Sequence, residues 1–485
     1  MKIVSIDIGS TWTKGAIFQL ENNQLKLISR ADHKTTIDNL ATGFFHVLET
    51  LAPTYSSSVA KNEMKLFYSS SAKGGLAVAA LGIVPDITLE TAKIAAFSAG
   101  AKINHCFSYH LTEADLAEMQ NSAPDILLFT GGTDGGNSDY VLSNARKLAE
   151  LDLDCSIIYA GNRAVADQVS QILVEKELTV VDNILPEIDQ QNPQPARDAM
   201  RDIFLAKIVK GKGLHTIIEQ INEQPLPTPF AVHELTRHIR NHVQGWEEFI
   251  VLDLGGATTD VYSCHKEQLG AATVLRGLLE PEIKRTVEGD LGLRISAQAA
   301  VESNPALLAN ELGKYLQTQE SLVEYANKVS HSPDHIGSNK LDQQKDQLIA
   351  GSCIANACAR HAGRMHKVHT ADGIVNVQTG RDLRSVKKLI GSGGYLANST
   401  LFTPNDWLNK IPEDNRGRQV LLPDTITYFQ DDQYLLPLLG NIAQQYPEAA
   451  AQAAIDSLSV NNHLPDAINA EIKNYQPEPV SQASL

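Results

Sequence analysis

Two similar runs, separated by about half of the chain, constrain the fold more than any other feature of this sequence. Each run is an apolar strand that ends in an aspartate and passes through a turn of small and hydroxyl residues into a second strand; the runs span residues 3–14 and 249–260. One such run is typical of an ordinary hairpin. Two of them, at the heads of two halves of one chain, predict a duplicated nucleotide-binding core.

The chemistry of these runs suits a polyphosphate and its metal ion. Glycine turns let backbone N–H groups approach phosphate oxygens, and serine and threonine hydroxyls add donors. Asp7 and Asp253 end the two strands, where a carboxylate can hold Mg²⁺ through water. Either aspartate alone could instead cap its own turn, and Lys14 could be a solvated edge residue. The expected phosphate-binding residues are Gly9, Ser10, Thr11, Thr13 and Lys14 in the first run, and Gly255, Gly256, Thr258 and Thr259 in the second.

A third glycine-rich run completes the set. Residues 388–396 predict a strand, a glycine-rich turn and a helix, and a flat group could lie against the backbone of Gly391, Ser392, Gly393 and Gly394. In order and separation, the three runs resemble the phosphate-1, phosphate-2 and adenosine motifs of the actin, sugar kinase and heat-shock ATPase superfamily. The alternative is three structural turns without a nucleotide. The resemblance implies ATP and Mg²⁺ as ligands, and an α/β fold of duplicated actin-like ATPase (ribonuclease H-like) domains.

The composition argues against several classes of partner. The chain has 485 residues, with 57 Asp and Glu against 41 Lys and Arg, so its net charge is −16. Nucleic acids and anionic membrane surfaces normally bind a basic face, and neither is expected as a partner. Five scattered cysteines form no disulfide framework, residues 75–84 are apolar but too few to span a bilayer, and no signal peptide precedes the first strand. We therefore expect a soluble, cytoplasmic protein.

A change in the pattern of predicted strands and helices in the first half of the chain predicts an inserted domain. Between residues 84 and 190, short apolar strands alternate with helices, which is the pattern of βαβ units and a parallel, doubly wound sheet. The predicted boundaries are 1–83 for the first half of ATPase domain I, 84–190 for the inserted α/β domain, 191–245 for the return to domain I and the linker, 246–400 for ATPase domain II, and 401–485 for a C-terminal helical segment and a flexible tail, disordered at 475–485.

Two polar turns and one proline-rich segment are further candidates. Residues 131–136, GGTDGG, and the pair Gly161 and Asn162 follow strands of the inserted domain, where ligands of such sheets bind. The first could equally be a site or a tight β–α turn, and the second favours a turn. Residues 224–229 repeat proline and predict a rigid, extended connector.

A charged segment follows the second run. Residues 280–294 mix charges of both signs with two glycines and predict a helix or turn. Lys284 and Arg285 would be available to an anion, and Glu288 or Asp290 to a metal ion or water. The ordinary alternative is a solvated, salt-bridged segment.

The catalytic residues are expected among the aspartates of the two runs and this charged segment. Asp260 could orient a water molecule or pair with a basic group. The expected catalytic set is Asp7, Asp253, Asp260 and Glu288, of which Asp7 and Asp253 would also hold the metal ion.

A histidine-rich stretch at residues 360–369 resembles a metal site only superficially. Cys353 and Cys358 lie upstream on a strong predicted helix, residues 346–361, but the spacing matches no standard zinc site. Because both cysteines fall among alanine and isoleucine, we expect buried packing thiols. The histidines are expected on the surface.

Six short strings give the chain a more specific resemblance, to the glutamate mutase MutL family (unrelated to the mismatch-repair protein of that name). They are GGTDGGN at 131–137, YAGN at 159–162, GGATTDV at 255–261, KRTVEGDLG at 284–292, RHAGR at 360–364 and GSGG at 391–394. The resemblance covers nearly the whole chain, and one departure is Leu293, where the family often has methionine. It implies an ATP-dependent reactivating protein for adenosylcobalamin-dependent aminomutases, such as glutamate mutase or ornithine aminomutase.

The implied mechanism has a physical logic. Radical mutases occasionally lose the adenosyl group and keep an inactive cobalamin. A release factor must bind the open state of the damaged enzyme better than its closed state, because equal affinity shifts nothing. ATP across the cleft would fix one angle between the two halves, and hydrolysis or ADP release would permit another. The inserted domain and the connector at 224–229 are candidate surfaces for the mutase, and the chain could act as a homodimer.

Three alternatives on the same fold stay open at this point. A small-molecule kinase would need a general base near the γ-phosphate, for which Asp134 or Asp290 could serve. A dehydratase activator with an iron–sulfur cluster would need paired cysteines, which the scattered cysteines do not provide. An actin-like filament former would need neither a general base nor paired cysteines.

Overall fold

The computed structural model describes residues 1–460 except 37, 56–63, 72–76, 210–212, 271, 316, 338, 372, 400 and 401. The predicted disordered tail at 475–485 lies outside the described residues. Within the described ranges, no helix has both the length and the apolar character that a membrane crossing requires.

The chain begins with an antiparallel meander. Its first elements are β1 (Lys2–Ile8), β2 (Trp12–Glu21), β3 (Gln24–Lys34), α1 (Leu40–Leu51) and β4 (Met64–Ser70). The side chain of Asn39 caps α1 by accepting a hydrogen bond from the Ala41 amide. α1 buries Phe44, Val47 and Leu48 at helical spacing, and this apolar face covers the sheet.

The inserted segment forms a parallel sheet with helices on both faces. Its elements are β5 (Ala77–Gly82), α2 (Glu90–Ser98), β6 (Lys102–Ser108), α3 (Glu113–Ser122), β7 (Ile126–Phe129), α4 (Asp139–Glu150), β8 (Ser156–Tyr159), α5 (Ala166–Ile172) and β9 (Leu178–Val180). The strand order is β6-β5-β7-β8-β9, and every neighbouring pair is parallel. Successive side chains alternate between two apolar cores, so that Ala80 and Leu81 of β5 face opposite sides. The predicted doubly wound inserted domain is confirmed.

The chain then returns to the first sheet. The returning elements are α6 (Gln194–Val209), α7 (Leu214–Ile221), β10 (Leu226–Pro227) and α8 (Thr228–His242). β10 pairs with β4, and α8 begins at Thr228, so residues 224–229 are not the extended connector that their prolines predicted. Pro225, Pro227 and Thr228 are buried. Proline is tolerated both at a short edge strand and in the first turn of a helix, which explains the wrong prediction.

The second half repeats the meander and adds helices. In chain order it contains β11 (Phe249–Leu254), β12 (Thr259–Cys264), β13 (Thr273–Arg276), β14 (Ile283–Glu288), α9 (Ala297–Glu302), α10 (Pro305–Leu312), α11 (Gln319–His331), α12 (Lys340–His361), β15 (Arg364–Thr370), β16 (Gly373–Thr379), β17 (Lys388–Ser392), α13 (Gly394–Asn398), α14 (Asn405–Leu408), β18 (Gln419–Val420), β19 (Thr427–Gln430), α15 (Leu436–Ala443), α16 (Pro447–Asp456) and β20 (Ser459–Val460). A small sheet, β13-β16-β15-β18, stands apart from the main one.

The two main sheets have the same topology. The first has the order β3-β2-β1-β4-β10, and the second has the order β14-β12-β11-β17-β19-β20. In each sheet, the first three strands are antiparallel, and the next two add in parallel on the other side of the central strand. The same strand order in both halves is the duplication that the two runs predicted. The duplicated, ribonuclease H-like α/β fold is confirmed.

Three predicted element types or boundaries differ from the structure. β5 begins at Ala77, so the inserted sheet starts before the boundary predicted at residue 84. Residues 280–294 contain the strand β14 rather than a helix or turn, because β12 pairs with it along its whole length. The segment predicted to be helical from residue 401 also supplies β19 and β20 to the second main sheet. Short strands carry too little periodicity to be recognised in sequence, and tertiary pairing decides them.

One apolar core joins the two halves. It combines residues of β1 and β2, of β11 and β12, and of α8, α15 and α16. α8 and α15 cross at close range, since a Cβ on Gly440 would lie 2.6 Å from the Ala231 carbonyl oxygen. The buried side chain of Asn441 on α15 donates to the Ile6 carbonyl at 3.2 Å, so α15 is tied to the central strand of the first sheet. The phosphate-1 and phosphate-2 turns lie at the ends of the two central strands that this core supports.

Candidate functional site

The two predicted phosphate turns have the same local geometry. The amide of Gly9 donates to the Trp12 carbonyl at 3.0 Å, and the amide of Gly255 donates to the Thr258 carbonyl at 2.9 Å. In both hairpins the donor is two residues after the strand-ending aspartate. A Cβ on Gly9 would lie 2.7 Å from that same Trp12 oxygen, so the first turn requires glycine.

Asp7 is buried and held by three hydroxyl groups. Ser69 Oγ and Thr228 Oγ1 donate to its Oδ1 at 2.8 and 2.6 Å, and Tyr434 Oη lies 3.4 Å from Oδ2. Burial raises the pKa of Asp7, and the hydrogen bonds from Thr228 and Ser69 and the charge of Lys14 oppose that rise. The carboxylate is therefore fixed in one orientation at the end of β1.

Asp253 differs from Asp7, because its carboxylate is not held by neighbouring side chains in the described part of the chain. Within the described residues, no hydrogen bond or ion pair reaches its side chain. Burial, followed by the negative charges of Asp260 and Asp7, raises the pKa of Asp253 to about 7, against the opposing charge of Lys14. Because the charges of both Asp7 and Asp253 act on Lys14, and that of Asp7 acts on Asp253, the two aspartates lie in one cleft, although they belong to different sheets. A cation would relieve the repulsion between them.

Lys14 points into the same cleft. Its Nζ lies 3.2 Å from the centroid of the Tyr434 ring, and a Cβ on Gly394 would lie 3.9 Å from that Nζ. Burial lowers the pKa of Lys14, while Asp7 and Asp253 oppose the change. Lys14 is therefore not the solvated edge residue that the sequence left possible.

The three glycine-rich runs meet around this cleft. A Cβ on Gly256 would lie 3.9 Å from Thr11 Cγ2, so the two phosphate turns face each other. Gly393 has φ +98°, and a Cβ there would collide with the Leu254 backbone. A Cβ on Gly391 would collide with the Tyr428 hydroxyl. The adenosine run is therefore packed directly against the end of β11.

The predicted phosphate donors divide into two groups. The hydroxyl of Thr13 is buried against Thr35 Oγ1 at 3.1 Å, and Thr259 Oγ1 donates to the Leu291 carbonyl at 2.7 Å, so both hold the turns in place. Thr258 Oγ1 donates to Asp260 Oδ2 at 3.2 Å on the cleft side. The cleft is lined by Ser10 and Thr11. It is also lined by four exposed or partly exposed glycines of the phosphate turns and the adenosine run, namely Gly9, Gly255, Gly256 and Gly394.

The two further predicted catalytic residues are already paired with arginines. Arg285 Nε donates to Asp260 Oδ1 at 2.8 Å, and the pair is buried. Arg360 Nη1 donates to Glu288 Oε2 at 2.7 Å and to Asp290 Oδ1 at 2.8 Å. Burial raises the pKa of Glu288, whereas the Arg360 hydrogen bonds lower that of Asp290. Arg285 is thus not available to an anion, contrary to the sequence interpretation.

Lys284 and the first histidine of residues 360–369 are also buried, which corrects two predictions. Lys284 Nζ donates to Glu280 Oε1 at 2.8 Å and to the His361 carbonyl at 3.1 Å. The His361 ring is fully buried between Ser263 Oγ at 2.7 Å and Thr286 Oγ1 at 2.8 Å. Burial, together with Lys284, holds the pKa of His361 well below its usual range, so this ring is a neutral structural group.

The prediction for the two cysteines agrees with the structure, whereas of the two later histidines His369 is exposed and His366 is half-buried. Cys353 and Cys358 are buried in α12, as expected of packing thiols. Among the described residues, no group of three or more His, Cys, Asp or Glu side chains is arranged to hold a metal ion. Mg²⁺ commonly binds through one or two carboxylates, water and substrate phosphates, and Asp253 beside Asp7 provides that donor set.

The polar turns of the inserted domain bond to each other. Asn162 Oδ1 accepts from the Gly135 amide at 2.9 Å, and its Nδ2 donates to the Gly136 carbonyl at 3.1 Å. Asp134 Oδ1 accepts from Asn183 Nδ2 at 2.9 Å and from the Arg163 amide at 3.0 Å. This bonding favours the structural interpretation of both turns.

Four residues of the cleft were missed in sequence: Ser69, Thr228, Asp431 and Tyr434. Asp431 ends the strand β19, where it accepts from Ser392 Oγ at 2.8 Å and from the Leu435 amide at 2.7 Å. Its position after an apolar strand repeats the signal of Asp7 and could have been found. Thr228 was hidden in the presumed connector, and Ser69 and Tyr434 carry no local signal.

Comparisons with known proteins agree over most of the chain. The family model described as MutL protein matches residues 3–458. Protein MutL of Clostridium tetanomorphum is 36% identical over 456 residues, which cover 92% of this chain and 97% of that protein.

Several solved structures align at much lower identity. The nucleotide-free acetone carboxylase aligns at 13% identity and a TM-score of 0.40, over 91% of this chain and 70% of that one. The activator of 2-hydroxyisocaproyl-CoA dehydratase from Clostridium difficile, with bound ADPNP, aligns at 12% identity and a TM-score of 0.28, over 95% and 98%. A glycerol dehydratase reactivase aligns at 8% identity and a TM-score of 0.30, over 92% and 99%. At these values the alignments establish no shared activity.

Proposed function

This chain belongs to the MutL protein family, and we propose that it is an ATP-dependent reactivating factor. Its proposed client is an adenosylcobalamin-dependent aminomutase of the glutamate mutase or ornithine aminomutase type, from which it releases damaged cobalamin. The observation that carries the proposal is the meeting of two equivalent hairpins in one cleft, with Asp7 fixed and Asp253 open. The free cysteines suit a reducing compartment, and the proposed location is the cytoplasm.

Each part of the cleft has a defined task in this proposal. The amides of Ser10, Thr11 and Gly256 donate no hydrogen bond within the described residues, so they are available to phosphate oxygens. Lys14 supplies a positive charge between the turns. Asp253 takes up a proton near neutral pH and must give it up when a cation binds. Bound Mg²⁺ would neutralise phosphate charge and polarise the terminal phosphoryl group.

The crossing of α8 and α15 is the proposed hinge. Thr228, the first residue of α8, holds Asp7, and Asp431 in the same cleft accepts hydrogen bonds from the Leu435 and Leu436 amides at the start of α15. A ligand that draws the two hairpins together would therefore turn both helices about their contact at Gly440. The inserted domain is the proposed mutase surface, since Pro225, Pro227 and Thr228 of the segment 224–229 are buried.

The kinase alternative gains no support from the structure. Both aspartates suggested as a general base are engaged, Asp134 with Asn183 and Asp290 with Arg360. We therefore keep a single proposed function.

A reconstitution assay tests the proposal. ATP turnover is measured with and without a glutamate or ornithine mutase inactivated by hydroxocobalamin, and mutase activity is then measured after adenosylcobalamin is added. We expect mutase-stimulated turnover and recovered mutase activity, both lost in Asp7→Ala and Asp253→Ala. Asp432→Ala is the matched control, because Asp432 is exposed next to the cleft and should retain both activities.

Two results would oppose the proposal in different ways. Turnover that no cobalamin mutase changes, with ATP still bound, would remove the client and keep the nucleotide site. Recovery of the mutase without ATP would remove the nucleotide requirement.

A further inference from the structure

A buried arginine connects the phosphate-2 hairpin to the inserted domain. Arg285 lies on β14 with 3% of its surface exposed. On one side it donates through Nε and Nη2 to Asp260 Oδ1. On the other side, its Nη1 donates to the Phe97 carbonyl at 2.6 Å and to the Ala101 carbonyl at 3.3 Å, at the end of α2. One guanidinium therefore bonds two parts of the molecule that are far apart in sequence.

The end of α2 is built to accept such a cation. The Ala101 amide donates to the Ala96 carbonyl at 3.0 Å, and Gly100 has φ +88°, which is the geometry of a Schellman cap. The last carbonyls of a helix carry partial negative charge, and cations near them are stabilising. α2 leads through this turn directly into β6 of the inserted sheet. Any movement of Arg285 therefore acts on the turn between α2 and β6 of the inserted domain.

Arg285 is also tied to the phosphate turn through its strand. β14 pairs with β12, with Arg285 opposite Tyr262. The segment after β14 bonds the turn itself, since the Leu293 amide donates to the Gly255 carbonyl at 3.1 Å and the Arg294 amide to the Gly256 carbonyl at 2.8 Å. Because of these two hydrogen bonds, a shift of the turn would move the segment after β14, and β14 with it.

We infer that Arg285 is a positioning residue that transmits nucleotide binding at the phosphate-2 hairpin to the inserted domain. Thr258 donates to Asp260 Oδ2, and Arg285 donates to Oδ1 of the same carboxylate. A phosphate that takes the Thr258 hydroxyl leaves Arg285 as the remaining side-chain partner of Asp260 among the described residues. The guanidinium is thereby held more firmly, and the end of α2 with it. This inference rests on the proposed nucleotide site and assigns it a route of regulation.

A second arginine at the same helix end provides a matched control. Arg197 of α6 has Nη2 3.4 Å from the Ser98 carbonyl, and the same nitrogen donates to Glu234 Oε1 at 2.9 Å. Like Arg285, it joins the end of α2 to a carboxylate on another element. Unlike Arg285, it makes no hydrogen bond or ion pair with the phosphate hairpins among the residues that the structure describes.

Hydrogen exchange measures the transmission directly. Exchange of the amides at residues 99–108 is followed with and without a non-hydrolysable ATP analogue and Mg²⁺, while calorimetry on the same samples reports nucleotide binding. In the natural chain we expect nucleotide to slow exchange by about fivefold or more, the low end of ordinary allosteric coupling. Arg285→Gln should bind nucleotide with this slowing lost. Arg197→Gln should exchange faster overall and keep the slowing.

The possible failures are distinguishable. Slowing that persists in Arg285→Gln, or a natural chain that binds nucleotide without slowing, overturns the inference and leaves the nucleotide site intact. A natural chain that binds no nucleotide overturns both. If Arg285→Gln has no cooperative melting transition, Arg285→Lys decides, because it keeps the charge but cannot bond Asp260 and the two carbonyls together. Retained slowing in Arg285→Lys then overturns the inference.

Discussion

The two phosphate hairpins share a backbone geometry and differ in charge at one matched position. Asp7 lies opposite Lys14 in the first hairpin, and Asp253 lies opposite Asp260 in the second. Lys14 faces the cleft over the Tyr434 ring, whereas Asp260 turns away to a buried arginine. The same turn geometry therefore serves a positive charge in one half and a structural ion pair in the other.

This difference separates ligand binding from internal support. The first hairpin fixes its aspartate with hydroxyl groups and leaves a cation free to meet a ligand. In the second hairpin, Asp253 has no hydrogen-bond partner in the described structure. The second carboxylate of that hairpin, Asp260, forms a buried ion pair with Arg285 and so fixes β14. A duplicated fold can thus give equivalent positions unequal tasks. Substitutions at the matched positions should separate them.

The largest effect is expected from Asp260→Ala. Removing one partner of a buried ion pair leaves Arg285 without its carboxylate, which typically costs about 3–5 kcal/mol of stability. Lys14→Met, at the matched position, should change stability by less than about 1 kcal/mol, because its burial already disfavours the charged amine. Denaturant unfolding of both variants checks this contrast. Equal losses in the two variants would mean that the hairpins do not differ in this way.

The next effect concerns the two strand-ending aspartates. Asp7→Asn and Asp253→Asn should each lower mutase-stimulated ATP turnover by about 10²–10³-fold, the usual range for a lost electrostatic contact in an active site. Their stabilities should move in opposite directions. Asp253→Asn removes a carboxylate that burial disfavours and should raise the melting temperature, while Asp7→Asn weakens the hydrogen bonds from Ser69 and Thr228 and should lower it. Melting curves and turnover on the same samples test both, with Asp432→Asn as the control.

A smaller effect is expected on nucleotide affinity. Lys14→Met should weaken ATP binding by about tenfold, which equals about 1.4 kcal/mol for one partly screened contact to phosphate. Lys26→Met is the matched control, since Lys26 is an exposed residue at the far end of the neighbouring strand, opposite Gln19, and should leave affinity unchanged. Calorimetric titration gives both affinities. An unchanged affinity in Lys14→Met would place Lys14 outside the phosphate site.

The smallest effect is the pH dependence of Mg²⁺ affinity that Asp253 of the second hairpin confers. The folded chain keeps a proton on Asp253 up to about pH 7, whereas the unfolded chain releases it near the ordinary value of 3.8. The contribution of Asp253 to the free energy of unfolding is therefore complete at pH values below the ordinary pKa of an aspartate. This contribution is lost as the pH rises through about 7. Mg²⁺ needs the deprotonated carboxylate, so its affinity should fall about threefold per pH unit on acidification around pH 7. Titrations at several pH values, with Asp253→Asn as a flat reference, measure the slope.

The sequence predicted the parts of this fold that carry a strong local pattern. The two aspartate-ending runs predicted the duplicated sheets, and the alternation after residue 84 predicted the inserted domain, because strand, turn and helix signals are local there. Residues 224–229 and 280–294 were misassigned for the opposite reason. Their conformation is decided by pairing with strands that lie far away in the chain.

The candidate site shows the same division. Asp7, Lys14 and Asp253 lie on strands that flank glycine-containing turns, a pattern visible in the sequence, and the structure brings them together. Arg285 was expected to meet an anionic ligand because composition cannot tell a solvated cation from one that a buried carboxylate has already neutralised. Asp431 follows a strand near the end of the described chain, and the sheet order shows that this strand ends at the same cleft.

The most direct test of the central claim, that two hairpins form one nucleotide site, is calorimetric titration of ATP into the purified chain with Mg²⁺ and again with a chelator. We expect one ATP per chain and a loss of ATP affinity of at least about tenfold without Mg²⁺. Asp7→Asn and Asp253→Asn should each reproduce that loss in the presence of the metal. Absence of saturable binding, or binding that neither the chelator nor either substitution weakens, would contradict it.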